Sequence, residues 1–169
     1  MFGTKGRERL QPSLLDRLTD SAPNQARDGP DQQVLTMAGM RQAVLRDLAA
    51  LLNTSNLSTL LDLSATPRVA RSTLNYGIPG FAGLVGSSAR SSSLEAELAD
   101  AIRLYEPRIR PETLRVRILD GGGDEATPAL VFEITGELWA RPVPLQIFLE
   151  TKIEVETRLV SVTEVKGAR

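Results

Sequence analysis

Four carboxylates fall on or at the end of one predicted helix: Glu95, Glu97, Asp100 and Glu106. Two carboxylates flanking a sugar can hydrolyse a glycosidic bond, one as acid and the other as base or nucleophile. Little other catalytic chemistry is open to this chain, because its 169 residues include no histidine and no cysteine. The commonest general base and transition-metal ligand is therefore missing. So are thiol nucleophiles, disulfides, zinc–cysteine sites and iron–sulfur clusters. Most of the four acids sit on the polar faces of an amphipathic pattern, where charged side chains ordinarily form a solvated surface. The chain reads as a non-enzyme with no catalytic residue, metal or cofactor. A carboxylate-dependent peptidoglycan hydrolase using Glu97 or Glu106 is the alternative.

Two other motifs invite chemistry. Gly121-Gly122-Gly123 resembles part of a phosphate loop, but no Gly-Lys-Ser/Thr and no helix follow it, so a hairpin loop is expected. Arg103, Arg108, Arg110, Arg115 and Arg117 crowd one stretch. One tryptophan and two tyrosines make a poor stacking platform for nucleic acid. Glu106 and Glu112 lie among these arginines, and an ion-paired protein interface fits better. With 20 basic and 21 acidic residues the net charge is −1, which gives no general pull toward nucleic acid or an acidic membrane.

Glu106-Pro107-Arg108 is the most informative triplet. Glu106 ends a helix, where the dipole disfavours a carboxylate and asks for a cation. Pro107 stiffens the link to Arg108. Two readings stand side by side: a local salt bridge, or a charged knob shown to another subunit.

The elements that would position these residues follow from hydrophobic period. Leu10, Leu14, Leu15 and Leu18 recur at helical spacing behind a Ser13/Asp16 capping signal. So short a helix must dock on something. Residues 1–18 are read as a helical arm and 19–35, with Pro23, Gly29 and Pro30, as a flexible linker. A single domain is expected over 36–166. Val44, Leu45, Leu48, Leu51 and Leu52 make a core helix, with Arg41, Gln42, Arg46 and Asp47 turned away and Asn53 as a left-handed cap. Thr66-Pro67 opens a short helix carrying Val69, Thr73 and Tyr76, and Gly77 closes it. A Gly/Ser-rich loop runs over 81–91. Ser92 to Glu95 is a capping box for a helix bearing Leu94, Leu98, Ile102 and Tyr105, stopped by Pro107.

After Thr113 the period drops to two. Leu114, Val116 and Ile118 face one way, then Leu130, Phe132, Ile134 and Leu138, then Ile147, Leu149, Thr151, Ile153 and Val155. Residues 159–165 are β-rich as well, and Trp139 to Pro144 interrupts the sheet. Helices followed by strands predict an α+β fold, N-terminal helices packed on a C-terminal sheet that is antiparallel or mixed. The last strands leave an edge open to strand addition. The opening residues lack the apolar core of a signal peptide, and no run reaches the roughly 18 apolar residues of a membrane span. The expectation is a soluble cytoplasmic protein, without membrane insertion or nucleic-acid binding.

Four stretches resemble one family. Val44 to Thr54 resembles the "R-D-L-x-x-L-L-N-T" helix of the TssE family, baseplate wedge subunits of type VI secretion systems. Ser72 to Pro79 resembles its "S-x-x-N-Y-G-φ-P" segment, φ being apolar, and Ile102 to Ile109 its "I-x-x-[FY]-E-P-R-φ" signature. Leu10 to Leu18 is similar to "L-x-x-S-L-L-D-R-L". Order and spacing match over about residues 7–165, with departures in the long 54–67 spacer and the loop at 80–92. The resemblance implies a structural part without hydrolase activity, although the wider superfamily carries a lysozyme-like label. It implies a handshake-like sheet that exchanges strands, and partners similar to TssF, TssG and TssK and to sheath subunits. It implies a role in starting sheath assembly at the cytoplasmic face of the inner membrane. It also implies an assembly role for Glu106. With the arm, the expected partner-binding residues are Glu106, Pro107, Arg108, Leu14 and Leu18.

Overall fold

The computed structural model describes residues 13–19, 24, 36–80, 88–119, 129–139, 145–154 and 160–165. Leu10, most of the 19–35 tether, residues 81–87, the triple glycine, the 140–144 interruption and Val155 lie outside the described residues. The fold is α+β, helices first and then one antiparallel sheet.

α1, Leu14–Leu18, starts at Ser13, whose hydroxyl accepts the Asp16 N–H. α2, Met37–Leu52, starts at Thr36, whose hydroxyl accepts the Gly39 N–H at 3.0 Å. Such caps satisfy donors that the first turn leaves free, and each stabilises by about 1 kcal/mol. Met40, Val44, Leu48, Leu51 and Leu52 of α2 are buried. α3, Pro67–Ala70, is a single turn. α4, Ser88–Tyr105, buries Leu94, Leu98 and Ile102 beside the apolar face of α2. It begins before the expected capping box at Ser92, and the Glu95 carboxylate is used elsewhere.

β1 is Arg115–Leu119, β2 Ala129–Leu138, β3 Leu145–Glu154 and β4 Val160–Glu164, paired in the order β1-β2-β3-β4. In register, Ile118 faces Phe132, Ile134 faces Leu149, and Thr151 faces Val162. Leu114, Val116, Phe132, Ile134, Leu138, Ile147, Leu149 and Thr151 are all buried. The alternation read from sequence thus puts one face of the sheet under the helices. Full burial of each large side chain contributes about 1.5–3 kcal/mol.

Each long helix runs by one edge of the sheet, α4 by β1 and α2 by β4. Each lends that edge a polar side chain. Glu95 accepts the backbone N–H of Ile118 at 2.7 Å. Asn53 accepts the N–H of Val160 and donates to its carbonyl, both at 2.9 Å. Asn53, expected as a left-handed cap, has a φ of −90° and a ψ of 3°. It needs no positive φ, because its amide also donates to the Ala49 carbonyl at 2.7 Å while reaching β4.

The segment after Thr66 departs from expectation. α3 stops at Ala70, and Thr73–Asn75 is a separate 3₁₀ turn. The Ser72 hydroxyl donates to the Val69 carbonyl at 2.9 Å, and the Asn75 amide donates to the Ala70 carbonyl at 2.9 Å. Side chains that take backbone acceptors compete with the helix ladder and end it. Gly77 is therefore not its C-cap. It lies at φ 120° where the chain crosses the end of α2: Ile78 N–H donates to the Thr54 carbonyl at 2.8 Å, and Asn56 N–H to the Ile78 carbonyl at 3.0 Å. A Cβ at Gly77 would overlap the Thr54 carbonyl oxygen and crowd the Asn56 nitrogen at 3.0 Å.

Gly77→Ala combines that clash with a strained φ and should cost about 2 kcal/mol. Urea unfolding should show a lower midpoint at unchanged slope. An unchanged midpoint would mean that the crossing is not held by Gly77.

Candidate functional site

Pro107 disfavours helix at Glu106, so α4 stops at Tyr105 and the chain turns back along the end of β2. Arg110 N–H donates to the Glu137 carbonyl at 2.9 Å, and Trp139 N–H to the Arg108 carbonyl at 2.7 Å. Between these bonds Ile109 pairs with Leu138, and its buried side chain plugs into the core. The triplet is thus held between the last bond of α4, from the Glu106 N–H to the Ile102 carbonyl at 2.8 Å, and this pairing with β2, and the Arg108 guanidinium reaches Asp47 on α2.

Glu106 is 2% exposed. A carboxylate so placed needs a cation and several hydrogen bonds. Arg108 supplies both, its Nε donating to Oε1 at 2.7 Å, its Nη2 to Oε2 at 2.5 Å and its backbone N–H to Oε1 at 3.1 Å. The same Nη2 donates to Asp47 Oδ2 at 2.6 Å. On α2, Arg46 Nη2 lies 2.7 Å from Asp47 Oδ1, and Arg46 Nη1 lies 2.6 Å from Asp16 on α1. One line of alternating charge therefore runs Glu106–Arg108–Asp47–Arg46–Asp16, from the core to the arm. Burial alone would pull the Arg108 guanidinium down. Its bonds to Glu106, and then to Asp47, outweigh burial and hold its pKa above the ordinary value. Ser13 first and Arg46 second hold the Asp16 carboxyl below the usual carboxylate range.

Two tyrosines flank this line. Tyr76 and Tyr105 meet edge to face, ring centroids 5.2 Å apart, a geometry that favours an aromatic pair. Burial, and then the negative charges of Asp47 and Glu106, push the Tyr76 hydroxyl up. The Tyr105 hydroxyl donates to the Ser72 carbonyl at 2.8 Å. The three motif stretches at 44–54, 72–79 and 102–109 thereby meet in one place.

The expected site residues divide between inside and outside. Glu106 faces inward and is paired within the chain; Arg108 is half-buried and Pro107 exposed. Leu14 and Leu18 are 71% and 74% exposed, on a helix fastened by its polar Asp16 rather than by its leucines. Asp47, expected to face away, is instead the bridge between helix and triplet. The four carboxylates of the hydrolase alternative all have structural partners: Glu95 the Ile118 amide, Glu97 the Ser93 hydroxyl, Asp100 Arg103, and Glu106 Arg108. Glu97 and Asp100 line an open cleft of about 780 Å³ with Asn56, Asn75, Arg103 and Tyr105, and Glu106 is not in its wall. Among the described residues no group of acids is placed to hold a metal ion, and no helix is long and apolar enough to cross a membrane.

The family model described as baseplate wedge protein gp25 matches residues 38–143. The chain belongs to this family. It is accordingly a structural baseplate component of a contractile injection system, made to bind other baseplate parts. No curated protein matches the chain. The span matched by the gp25 family holds Asp47, Asn53, Tyr76 and the Glu106–Arg108 pair, whereas α1, β3 and β4 lie outside it. Sequence reasoning missed Asp47 and Trp139 as site residues. Asp47 carried a signal, its place in the arginine–aspartate pair of the motif helix. Trp139, 57% exposed and bonded to Arg108 through the backbone, carried none beyond being the one tryptophan.

Glu106→Gln leaves the half-buried Arg108 with Asp47 as its one carboxylate among the described residues, and sets an amide NH₂ in place of one buried oxygen. It should lower stability by on the order of 3 kcal/mol, against about 1 kcal/mol for Asp47→Asn, whose carboxylate is partly solvated. Equal losses in thermal melts of the two variants would refute this ranking. Asp16, depressed in the folded state, stabilises the start of α1 through Ser13 and arm docking through Arg46; both contributions are full above its unfolded pKa of about 3.9 and are lost as pH falls through its folded value. Amides across Leu15–Thr19 should therefore lose exchange protection below about pH 4, before the core does. Simultaneous loss in arm and core would show that the bridge does not hold the arm.

Proposed function

We propose that this chain is a TssE-like wedge subunit of a type VI secretion machine. In this role it joins the wedge to the first ring of the contractile sheath and helps start sheath assembly. Its partners are wedge subunits similar to TssF, TssG and TssK, together with sheath subunits. It works in the cytoplasm, at the cytoplasmic face of the inner membrane when the machine is assembled.

The observation that carries this reading is the meeting of the motifs. Four stretches that resemble TssE motifs are far apart in sequence, yet the ion-pair line ties residues 10–18, 44–54 and 102–109 together, and the Tyr105 hydroxyl bonds the Ser72 carbonyl of the fourth. Such convergence is what a shared working surface requires, and it supports carrying the motifs' role to this chain. Residues 1–18 act as an arm on a 19–35 linker, and 36–166 as the wedge domain. Glu106 braces the site from behind, while Pro107 and the outer part of Arg108 touch a partner. Leu14 and Leu18 bury themselves in a wedge subunit. The β4 side of the sheet is where a handshake-like strand exchange with the sheath takes place.

The test is co-purification with candidate wedge proteins. Leu14→Asp with Leu18→Asp removes two apolar anchors, each worth about 1.5 kcal/mol or more when buried, so capture should fall at least about tenfold. The melting temperature should not change, because both side chains are in solvent in the free chain. Full capture by the double variant would sink the arm's role. Capture by none of the candidate wedge proteins, with the wild type as bait, would sink the type VI reading.

A further inference from the structure

Among the described residues β4 ends the sheet, and an edge strand offers a row of backbone donors and acceptors to any other strand. A second copy of the same chain carries the identical edge, so two molecules can present β4 to β4 about a two-fold axis. The Val165 N–H bonds to the Phe148 carbonyl on β3. Alternation along β4 therefore turns the backbone groups of Ser161 and Thr163 inward, toward β3, and those of Val160, Val162 and Glu164 outward.

An antiparallel pair of two β4 strands, centred on Val162, would set Val162 opposite itself and Val160 opposite Glu164 at both ends. In the free chain Val160 is already taken. The Asn53 amide accepts its N–H and donates to its carbonyl, both at 2.9 Å, as a residue of a neighbouring strand would. With Val160 closed in both copies, the central pair alone is left, too little to hold two chains together. The opposite edge is treated alike, since Glu95 takes the Ile118 N–H of β1.

We propose that Asn53 guards the β4 edge against pairing with a second copy of the chain. The guard acts on backbone groups and leaves those of Val162 and Glu164 untouched, so it limits self-pairing without closing the edge to a longer partner strand. This holds whichever baseplate protein the chain serves.

Sedimentation of the full chain tests it. The wild type should stay monomeric at all concentrations, whereas Asn53→Ala should form a dimer that grows with concentration. Adding Val162→Pro to Asn53→Ala should return the monomer, because proline removes the central donor and is tolerated at an edge position. Asn53→Asp keeps an acceptor for the Val160 N–H but loses the donor to its carbonyl, and should dimerise more weakly than Asn53→Ala. It serves as the test should Asn53→Ala fail to fold. A wild type that dimerises through β4, a folded Asn53→Ala that stays monomeric, an unfolded Asn53→Ala with a monomeric Asn53→Asp, or a dimer that survives Val162→Pro would each overturn the proposal.

Discussion

The Arg108 guanidinium lies between two carboxylates, one buried at the end of α4 and one on α2. A half-buried cation without partners would be costly, and so would the buried Glu106 without Arg108. Each therefore requires the other, and both require α2 at a fixed distance. This constraint ties the end of α4, and the return of the chain along β2 that Pro107 and the backbone pairing make, to α2 across the core. Pro107 makes the turn possible, and Ile109 anchors it from below.

The second constraint is the crossing of residues 53–80 over the end of α2. Gly77 allows the backbones to touch, Asn56 and Asn75 hold the short turns, and the tyrosine pair joins this segment to α4. Polar side chains carry most of these contacts because the segment has few buried apolar residues to fix it. The result is a rigid base with an apolar arm fastened to it by an ion pair. In a baseplate component, an attachment that presents leucines outward rather than burying them is suited to a chain that finishes its packing on a neighbour.

The fold was largely legible in the sequence. The 3.6-residue stripe of Val44, Leu48 and Leu52 and the two-residue alternation of Phe132, Ile134 and Leu149 announced the helices and strands, because burial of one face leaves a period in the chain. Short elements were less legible. The segment after Pro67 broke into two turns because Ser72 and Asn75 took the carbonyls a helix would have used. The capping pattern at Ser92 to Glu95 marks the start of α4 too late, because it is a local signal, while Glu95 answers to a strand residue 23 positions away.

By itself the sequence determined the chemistry this protein lacks, the order of its elements and the family motifs it carries, all of which depend on residue type and local spacing. Only the tertiary structure decided that Glu106 faces inward, that Asp47 completes its ion pair and that Asn53 closes the edge of β4. These are contacts between residues two, 61 and 107 positions apart. Even the nearest of them depends on which way the chain turns after Pro107, and no local pattern records where a long-range partner will come to lie.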